Sequence, residues 1–190
     1  MAESSLDSLR QRRDISVTFR AYELHPEKAE ALPPEVEAHY RKRIEAGWPR
    51  LQQTALERFG LELTQPEHPR SHPSRLAHVG AKYAIAQGRG DEYHHAVFRA
   101  HWQEARDISS IDTLVEIAEA IGLDGAAFRA ALADPDYRAE VEADEYWAYQ
   151  QNLSGVPAFI FGDRYLVSGA QPVEVLEQVV DKCVEEGLGV

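Results

Sequence analysis

The chain has 190 residues, and Asp and Glu outnumber Lys and Arg by 32 to 20, which gives a net charge of −12. A chain of this length forms one domain, or one domain with an insertion, and buries roughly 70% of the surface that it exposes when unfolded. Its acidity would repel a phosphate backbone, which excludes nucleic acid as a partner.

The sequence contains one cysteine, Cys183, so no disulfide can form within the chain and nothing indicates an oxidising compartment. Residues 1–14 are polar and lack the apolar core of a signal peptide. Nowhere do about 18 consecutive apolar residues occur that could span a bilayer. We therefore expect a cytoplasmic protein that has no membrane partner.

The first 26 residues predict a helix followed by a strand. Leu6 and Leu9 have helical spacing within residues 3–13, whereas ISVTF, from Ile15 to Phe19, alternates apolar and polar residues as a strand does. Pro26 ends this strand, because proline cannot donate to a sheet ladder. The predicted helix ends in a basic cluster, which the helix dipole favours at that end: Arg10, Arg12 and Arg13.

Residues 32–152 predict helices and no strand. Apolar spacing places core-facing helices at 91–105 and 111–121. An acidic run, Glu140 to Glu145, is typical of a solvated helix face. Helix starts are predicted at three proline positions: Pro33–Pro34, Pro49 and Pro73. Helix stops are predicted at three glycines: Gly60, Gly88 and Gly122.

The C-terminal residues predict a hairpin followed by a helix. The strands are Pro157 to Phe161 and Tyr165 to Ser168, joined by Gly162-Asp163-Arg164. The helix carries one apolar stripe: Val173, Leu176, Val179, Val180 and Cys183. Apolar neighbours and the C-terminal end of a helix both disfavour a thiolate, so we predict that the cysteine is buried and structural.

Strands are thus predicted at the two ends of the chain. Because strands cannot leave their backbone groups unpaired in a core, we expect both ends to share one sheet. The predicted fold class is α/β, with a large all-helical insertion. The predicted α/β domain comprises residues 1–30 and 154–190, and the predicted helical insertion comprises residues 31–153.

Several segments resemble the DsbA-like thioredoxin superfamily, in particular the FrnE-type oxidoreductases and their relatives, the 2-hydroxychromene-2-carboxylate isomerases and kappa-class glutathione transferases. SGVPAFIF (Ser154–Phe161) and RYLVSGAQ (Arg164–Gln171) resemble its C-terminal signature. FRAYELHP (Phe19–Pro26) resembles its second strand, and EARDI (Glu104–Ile108) with IGLD (Ile121–Asp124) resembles its helical insertion. The resemblance covers nearly the whole chain and implies a thioredoxin-like fold interrupted by a helical domain.

The resemblance also implies a substrate-binding loop formed by Gly155, Val156 and Pro157, with Pro157 as the family's cis-proline. A cis bond would turn the amide and carbonyl of Val156 outward, where an extended peptide or thiol substrate could pair with them. The alternative is a trans proline that begins an edge strand.

The sequence departs from the family at its redox motif. In the family, a first strand and a Cys-x-x-Cys motif precede the first helix, and the thiolate there exchanges with disulfides. This sequence contains neither, so the resemblance assigns no catalytic residue here and predicts that the chain is inactive in dithiol exchange. Either the printed sequence begins after the first strand of a longer protein, or the protein is a family member that lacks it.

Three functions follow from these features. The first is a DsbA/FrnE-family thiol–disulfide oxidoreductase without its redox motif in this chain. The second is a non-redox module, similar to a chaperone, that binds extended peptides. The third is a glutathione-dependent isomerase or transferase. The expected partners are thiol, disulfide or extended peptide substrates. Glutathione is a cofactor only under the third hypothesis. The sequence does not decide whether the chain forms a homodimer.

The histidines do not predict a metal site. His94, His95 and His101 share one predicted helix, but no two of them have the i, i+3 or i, i+4 spacing of helical ligands. His68 and His72 have that spacing, but the prolines within and beside this segment argue against a regular helix there.

Overall fold

The computed structural model describes residues 1–24, 33–65 and 73–189. Within these ranges, no helix is both long enough and apolar enough to cross a membrane. The helices are α1 (Ala2–Arg12), α2 (Pro34–Phe59), α3 (Arg75–Ala86), α4 (Gly90–Trp102), α5 (Ile111–Ala120), α6 (Gly125–Ala131), α7 (Pro135–Gln150) and α8 (Val173–Glu185). The strands are β1 (Ala158–Phe161) and β2 (Tyr165–Ser168).

The chain divides into two units. The terminal unit combines residues 1–20 with residues 148–190, and the helical unit comprises residues 21–147. Each unit has its own apolar core. The two ends of the chain therefore meet in one unit, as the sequence indicates. The domain boundaries at residues 30 and 153 remain a prediction.

The terminal unit packs α1 and α8 against the hairpin. Its buried cluster contains Leu6 and Leu9 of α1, Phe161 of β1, and Leu176, Val180 and Cys183 of α8. The predicted stripe on the last helix is confirmed, because its members lie in this cluster or pack against it.

The strand predicted at Ile15–Phe19 is wrong, and so is the sheet that it was expected to share with the hairpin. Ile15, Val17 and Phe19 are half-buried against the terminal cluster, while the two residues between them are exposed. The alternation of a strand is therefore present. A strand also needs a hydrogen-bonded neighbour, and the ladder in the described ranges joins β1 to β2 alone. Pro26 lies outside the described residues.

Most predicted helix boundaries in the helical unit are confirmed. Helix α2 starts at Pro34 and ends at Gly60, whose φ of +63° suits the left-handed C-cap that glycine favours. Helix α3 follows Pro73. Gly88 and Gly122 follow the ends of α3 and α5 and also have positive φ.

The helix start predicted at Pro49 is wrong, because Pro49 lies inside α2. An interior proline removes one helical hydrogen bond and favours a break. Packing on both sides of Pro49 favours a continuous helix. The side chain of Trp48 is buried and stacks on Trp102 with a centroid distance of 6.4 Å, and Ala55 is buried about two turns later.

A close approach between helices determines the core of the helical unit. A Cβ added at Gly80 of α3 would collide with the side chains of Tyr93 on α4 and Phe128 on α6. The rings of Tyr93 and Phe128 in turn contact each other, with a centroid distance of 5.5 Å. Glycine at position 80 therefore allows three helices to meet.

Candidate functional site

The hairpin determines the position of the predicted site. Strand β1 pairs with β2 in antiparallel register, with Phe159 opposite Val167 and Phe161 opposite Tyr165. In the connecting loop, the Arg164 N–H donates to the Phe161 carbonyl at 3.0 Å. This geometry fixes the direction of β1 and of the residues directly before it.

Gly155, Val156 and Pro157 form the loop between α7 and β1. The Val156–Pro157 peptide bond is cis. The side chain of Val156 is exposed, with 46% of its residue surface accessible, while Gly155 and Pro157 are partly covered. The Pro157 carbonyl accepts a hydrogen bond from the Gly169 N–H at 2.8 Å, which attaches the loop to the chain that leaves β2. The loop is thus held at one end and accessible at Val156.

Cys183 does not reach the surface. Its relative exposure is 0%, and it lies in the terminal cluster with Leu9 and Leu176. Burial raises the pKa of the Cys183 thiol, and the negative charge of Glu186 raises it further. A nucleophilic cysteine needs the opposite, an accessible thiol with a lowered pKa. The prediction of a buried, structural cysteine is confirmed.

The basic cluster at the end of α1 forms ion pairs with α8. Arg12 lies 3.3 Å from the carboxylate of Glu177, and Arg13 lies 2.7 Å from that of Asp181. These partly exposed pairs each contribute up to about 1 kcal/mol. They join α1 to α8, which is a structural role for the cluster.

The histidines of α4 lie among aromatic rings. His94 contacts Phe98 with a centroid distance of 4.5 Å, and His101 contacts Trp102 at 4.7 Å. Burial lowers the pKa of His94 to about 4. His68 and His72 lie outside the described residues. In the described ranges, no group of three or more His, Cys, Asp or Glu side chains is arranged to hold a metal ion.

The helical unit also contains a buried ionic network that the sequence pattern does not predict. On α7, the Asp144 carboxylate accepts hydrogen bonds from the Ala21 backbone N–H, at 2.9 Å, and from the Lys82 ammonium. Asp144 is only 4% exposed. The assignment of residues 140–145 to a solvated face is therefore wrong at this position.

Arg75 forms the second part of this network. It lies 2.8 Å from the carboxylate of Glu23 and 3.0 Å from that of Glu145. Burial raises the pKa of Glu23, against the lowering effect of the Arg75 charge. The signal was present in α3, where Arg75, His78 and Lys82 have i, i+3, i+7 spacing on an otherwise apolar helix. The network fixes residues 21–23 to the helical unit.

Comparison with known proteins identifies the family. The model of the DSBA-like thioredoxin domain matches residues 1–181. The protein YwbO of Bacillus subtilis (strain 168) is 32% identical over 170 residues, which are 88% of this chain and 82% of YwbO. The 2-hydroxychromene-2-carboxylate isomerase of Pseudomonas putida is 30% identical over 98 residues, 50% of this chain and 47% of that enzyme.

Solved structures share the fold. SCO1869 from Streptomyces coelicolor, described as a probable DsbA oxidoreductase, superposes with a TM-score of 0.81 at 30% identity, covering 97% of this chain and 84% of the other. A 2-hydroxychromene-2-carboxylate isomerase gives a TM-score of 0.70 at 21% identity, covering 98% and 90%. The predicted resemblance and the α/β, thioredoxin-like fold class with a helical insertion are confirmed. The chain belongs to the DsbA-like thioredoxin domain family.

Proposed function

We propose that this chain is a thiol–disulfide oxidoreductase-family protein of the FrnE type that binds extended thiol or disulfide peptides at Gly155, Val156 and Pro157. The 190 residues do not themselves catalyse dithiol exchange. One observation carries this proposal: the loop before β1 is accessible at Val156, whereas the single cysteine, Cys183, is fully buried.

The chemistry of exchange supports the second part of the proposal. A thiolate attacks one sulfur of the substrate disulfide and expels the other as a thiolate, which leaves a mixed disulfide. A second thiol of the enzyme then attacks the mixed disulfide and releases the reduced substrate. A chain with one cysteine lacks this second thiol, and the raised pKa of Cys183 also disfavours the first step.

Insulin reduction in the presence of dithiothreitol tests this absence of exchange. We expect the 190-residue chain and its Cys183→Ala variant to match the rate with dithiothreitol alone. Appreciable acceleration by the wild-type chain would refute the claim, and its loss in Cys183→Ala would assign the activity to that one thiol.

Titration of peptides tests the loop. An unfolded, cysteine-containing peptide labelled with a fluorophore is added to the wild-type chain and to Pro157→Ala. Proline fixes the backbone ahead of β1, so its loss should weaken binding about tenfold. Pro172→Ala is the matched control, since Pro172 is an exposed helix cap in the same unit and should leave affinity unchanged. Equal, weak binding by all three proteins would end the peptide-binding proposal.

A glutathione-dependent isomerase or transferase is the second candidate. The identity to the Pseudomonas putida isomerase, and the fold shared with a solved isomerase, favour it. Glutathione is a tripeptide, and the exposed Val156 offers it a backbone to pair with. Calorimetry with reduced glutathione separates the candidates: saturable binding that is lost in Pro157→Ala supports this one, and heats equal to dilution exclude it.

A further inference from the structure

We propose that Glu23 and Glu145 share one proton beside the guanidinium of Arg75, and that this proton closes a pH-sensitive clamp on residues 21–23. The clamp lies within the helical unit. It holds the first residues of that unit to α3 and α7 while the proton is bound, and it releases them when the proton is lost. The inference goes beyond the proposed function and does not depend on it.

One nitrogen of Arg75 joins the two carboxylates. Its Nη2 donates to Glu23 Oε2 at 2.8 Å and to Glu145 Oε2 at 3.0 Å. The two carboxylates also lie within hydrogen-bonding reach of each other. Two ionised carboxylates repel at such a separation, whereas a carboxylic acid can donate to a carboxylate. The arrangement therefore favours one proton between the two groups.

Two buried oxygens indicate the same proton. The side chain of Glu23 is 0% exposed and that of Glu145 is 25% exposed. Among the residues that the structure describes, the Oε1 atoms of both side chains are buried and accept no hydrogen bond. A buried carboxylate oxygen without a donor is costly, and protonation of one carboxyl group supplies a donor to the other.

The charges around the pair also require a proton. In the described chain, the charged or titratable side chains that face this cluster are Arg75, His78 and Lys82 on α3, and Glu142 and Asp144 on α7. Lys82 is already paired with Asp144. Burial lowers the pKa of His78 to about 4, so its imidazole is neutral at neutral pH. Arg75 must then balance both members of the pair and Glu142, which leaves excess negative charge unless one carboxyl group is protonated.

The sign of the pH dependence follows from these contacts. Burial raises the pKa of Glu23, the Arg75 charge lowers it, and Glu145 raises it, with a net upward shift. The folded chain therefore binds more protons than the unfolded chain. This contribution to stability is complete at low pH and is lost to solvent, with the proton, as the pH rises through the raised pKa of the pair. The contribution of His78 has the opposite sign, because it is lost as the pH falls.

The clamp lies where the chain enters and leaves the helical unit. This unit begins at residue 21 and ends at residue 147. Glu23 is close to its first residue and Glu145 is close to its last, so the pair joins the two passages of the chain. The Ala21 N–H donates to Asp144 at 2.9 Å and reports whether residues 21–23 remain attached to α7.

Nuclear magnetic resonance titration of the full chain detects the shared proton. The side-chain carboxyl carbon-13 signals of Glu23 and Glu145 are followed from about pH 4 to about pH 9. We expect a coupled titration in two steps, with the upper step above the titration of glutamates in the urea-unfolded chain. If both carboxyl groups titrate at or below that reference, the proposal is overturned.

Glutamine variants distinguish a shared proton from two separate ion pairs. An amide imitates a protonated carboxyl group, since its oxygen accepts from Arg75 and its NH₂ donates to the remaining glutamate. We expect Glu23→Gln and Glu145→Gln each to retain or raise the urea midpoint at about pH 8. The double variant should lower it, because Arg75 loses both charges.

Glu142→Gln is the matched control for these variants. Glu142 lies 4.0 Å from Arg75 on the same helix as Glu145, but its side chain is 57% exposed. It should leave the urea midpoint and its pH dependence unchanged. A lowered midpoint in either single variant of the pair would show two ion pairs and refute the shared proton.

Hydrogen exchange at the Ala21 amide tests the clamp itself. In the wild-type chain, we expect its protection factor to fall at least about tenfold as the pH rises through the upper step, because a shift of one pKa unit changes an equilibrium tenfold. In Glu145→Gln, the protection factor should stay constant over the same range. Constant protection in wild type, or an equal fall in the variant, would overturn the clamp.

Discussion

Replacing Asp144 by Ala tests the buried ionic network of the helical unit. The Asp144 carboxylate accepts from the Ala21 N–H at 2.9 Å and from the Lys82 ammonium. The side chains of Asp144 and Lys82 are 6% and 13% exposed, so water can replace little of what the substitution removes. We therefore expect that replacing this one side chain causes a large loss of stability.

The magnitude follows from the groups left behind. Breaking a buried ion pair costs about 3–5 kcal/mol, because the remaining charge has no partner. An unpaired N–H at Ala21 costs about 1–3 kcal/mol. Since Lys82 retains a path to water, we take the low end and expect a loss of about 3 kcal/mol in the free energy of unfolding of the helical unit. Adding Lys82→Met should recover at least about 1 kcal/mol, because it removes the stranded charge.

Urea unfolding followed by tryptophan fluorescence measures this effect, because the three tryptophans, Trp48, Trp102 and Trp147, all belong to the helical unit. Asp112→Ala is the control, since its pair with Arg129 is exposed and should contribute less than about 1 kcal/mol. The reasoning would be refuted if Asp144→Ala lowered the free energy of unfolding by less than about 1 kcal/mol. It would also be refuted if the loss in the double variant with Lys82→Met equalled the sum of the losses in the two single variants.

Three further predictions concern single residues. Gly80→Ala should destabilise the helical unit by about 1–3 kcal/mol through its collision with Tyr93, whereas Gly47→Ala, which meets no atom within 4 Å, should stabilise it by up to about 1 kcal/mol in urea unfolding. Burial lowers the pKa of His78 to about 4, so the unfolded chain binds more protons between pH 4 and about 6.5, and stability should fall as the pH falls through this window. In paired titrations, wild type should lose up to about 3 kcal/mol more than His78→Gln over this window, and equal losses would contradict the assignment. Cys183 should react with Ellman's reagent only after unfolding; rapid reaction of the native chain would show that the thiol is accessible.

Local sequence signals predicted much of the fold. The stripe from Val173 to Cys183 on α8 reflects a helix with one buried face, and its members pack as expected. Gly60 ends α2 because the residue there needs positive φ. The hairpin was also predicted, since turn residues separate two short apolar runs. These features depend on residues that are close together in the chain, so the sequence alone is enough to predict them.

The errors arose where distant partners decide the structure. The alternation of Ile15, Val17 and Phe19 describes which side chains are covered, but a strand also requires a hydrogen-bonded neighbour. Asp144 looked like one member of a solvated acidic run, and only its distance from Lys82 and Ala21 shows that it is buried. Neither partner is close to it in sequence.

A residue-resolved titration tests the central claim most directly. Nitrogen-15 heteronuclear spectra of the full chain are recorded while an unfolded, cysteine-containing peptide is added. We predict that the largest saturable shifts occur at the amides of Gly155 and Val156, and that the tryptophan indole signals of the helical unit shift little. Saturable shifts confined to residues 21–147, or no shifts at millimolar peptide, would contradict a binding site at the loop before β1.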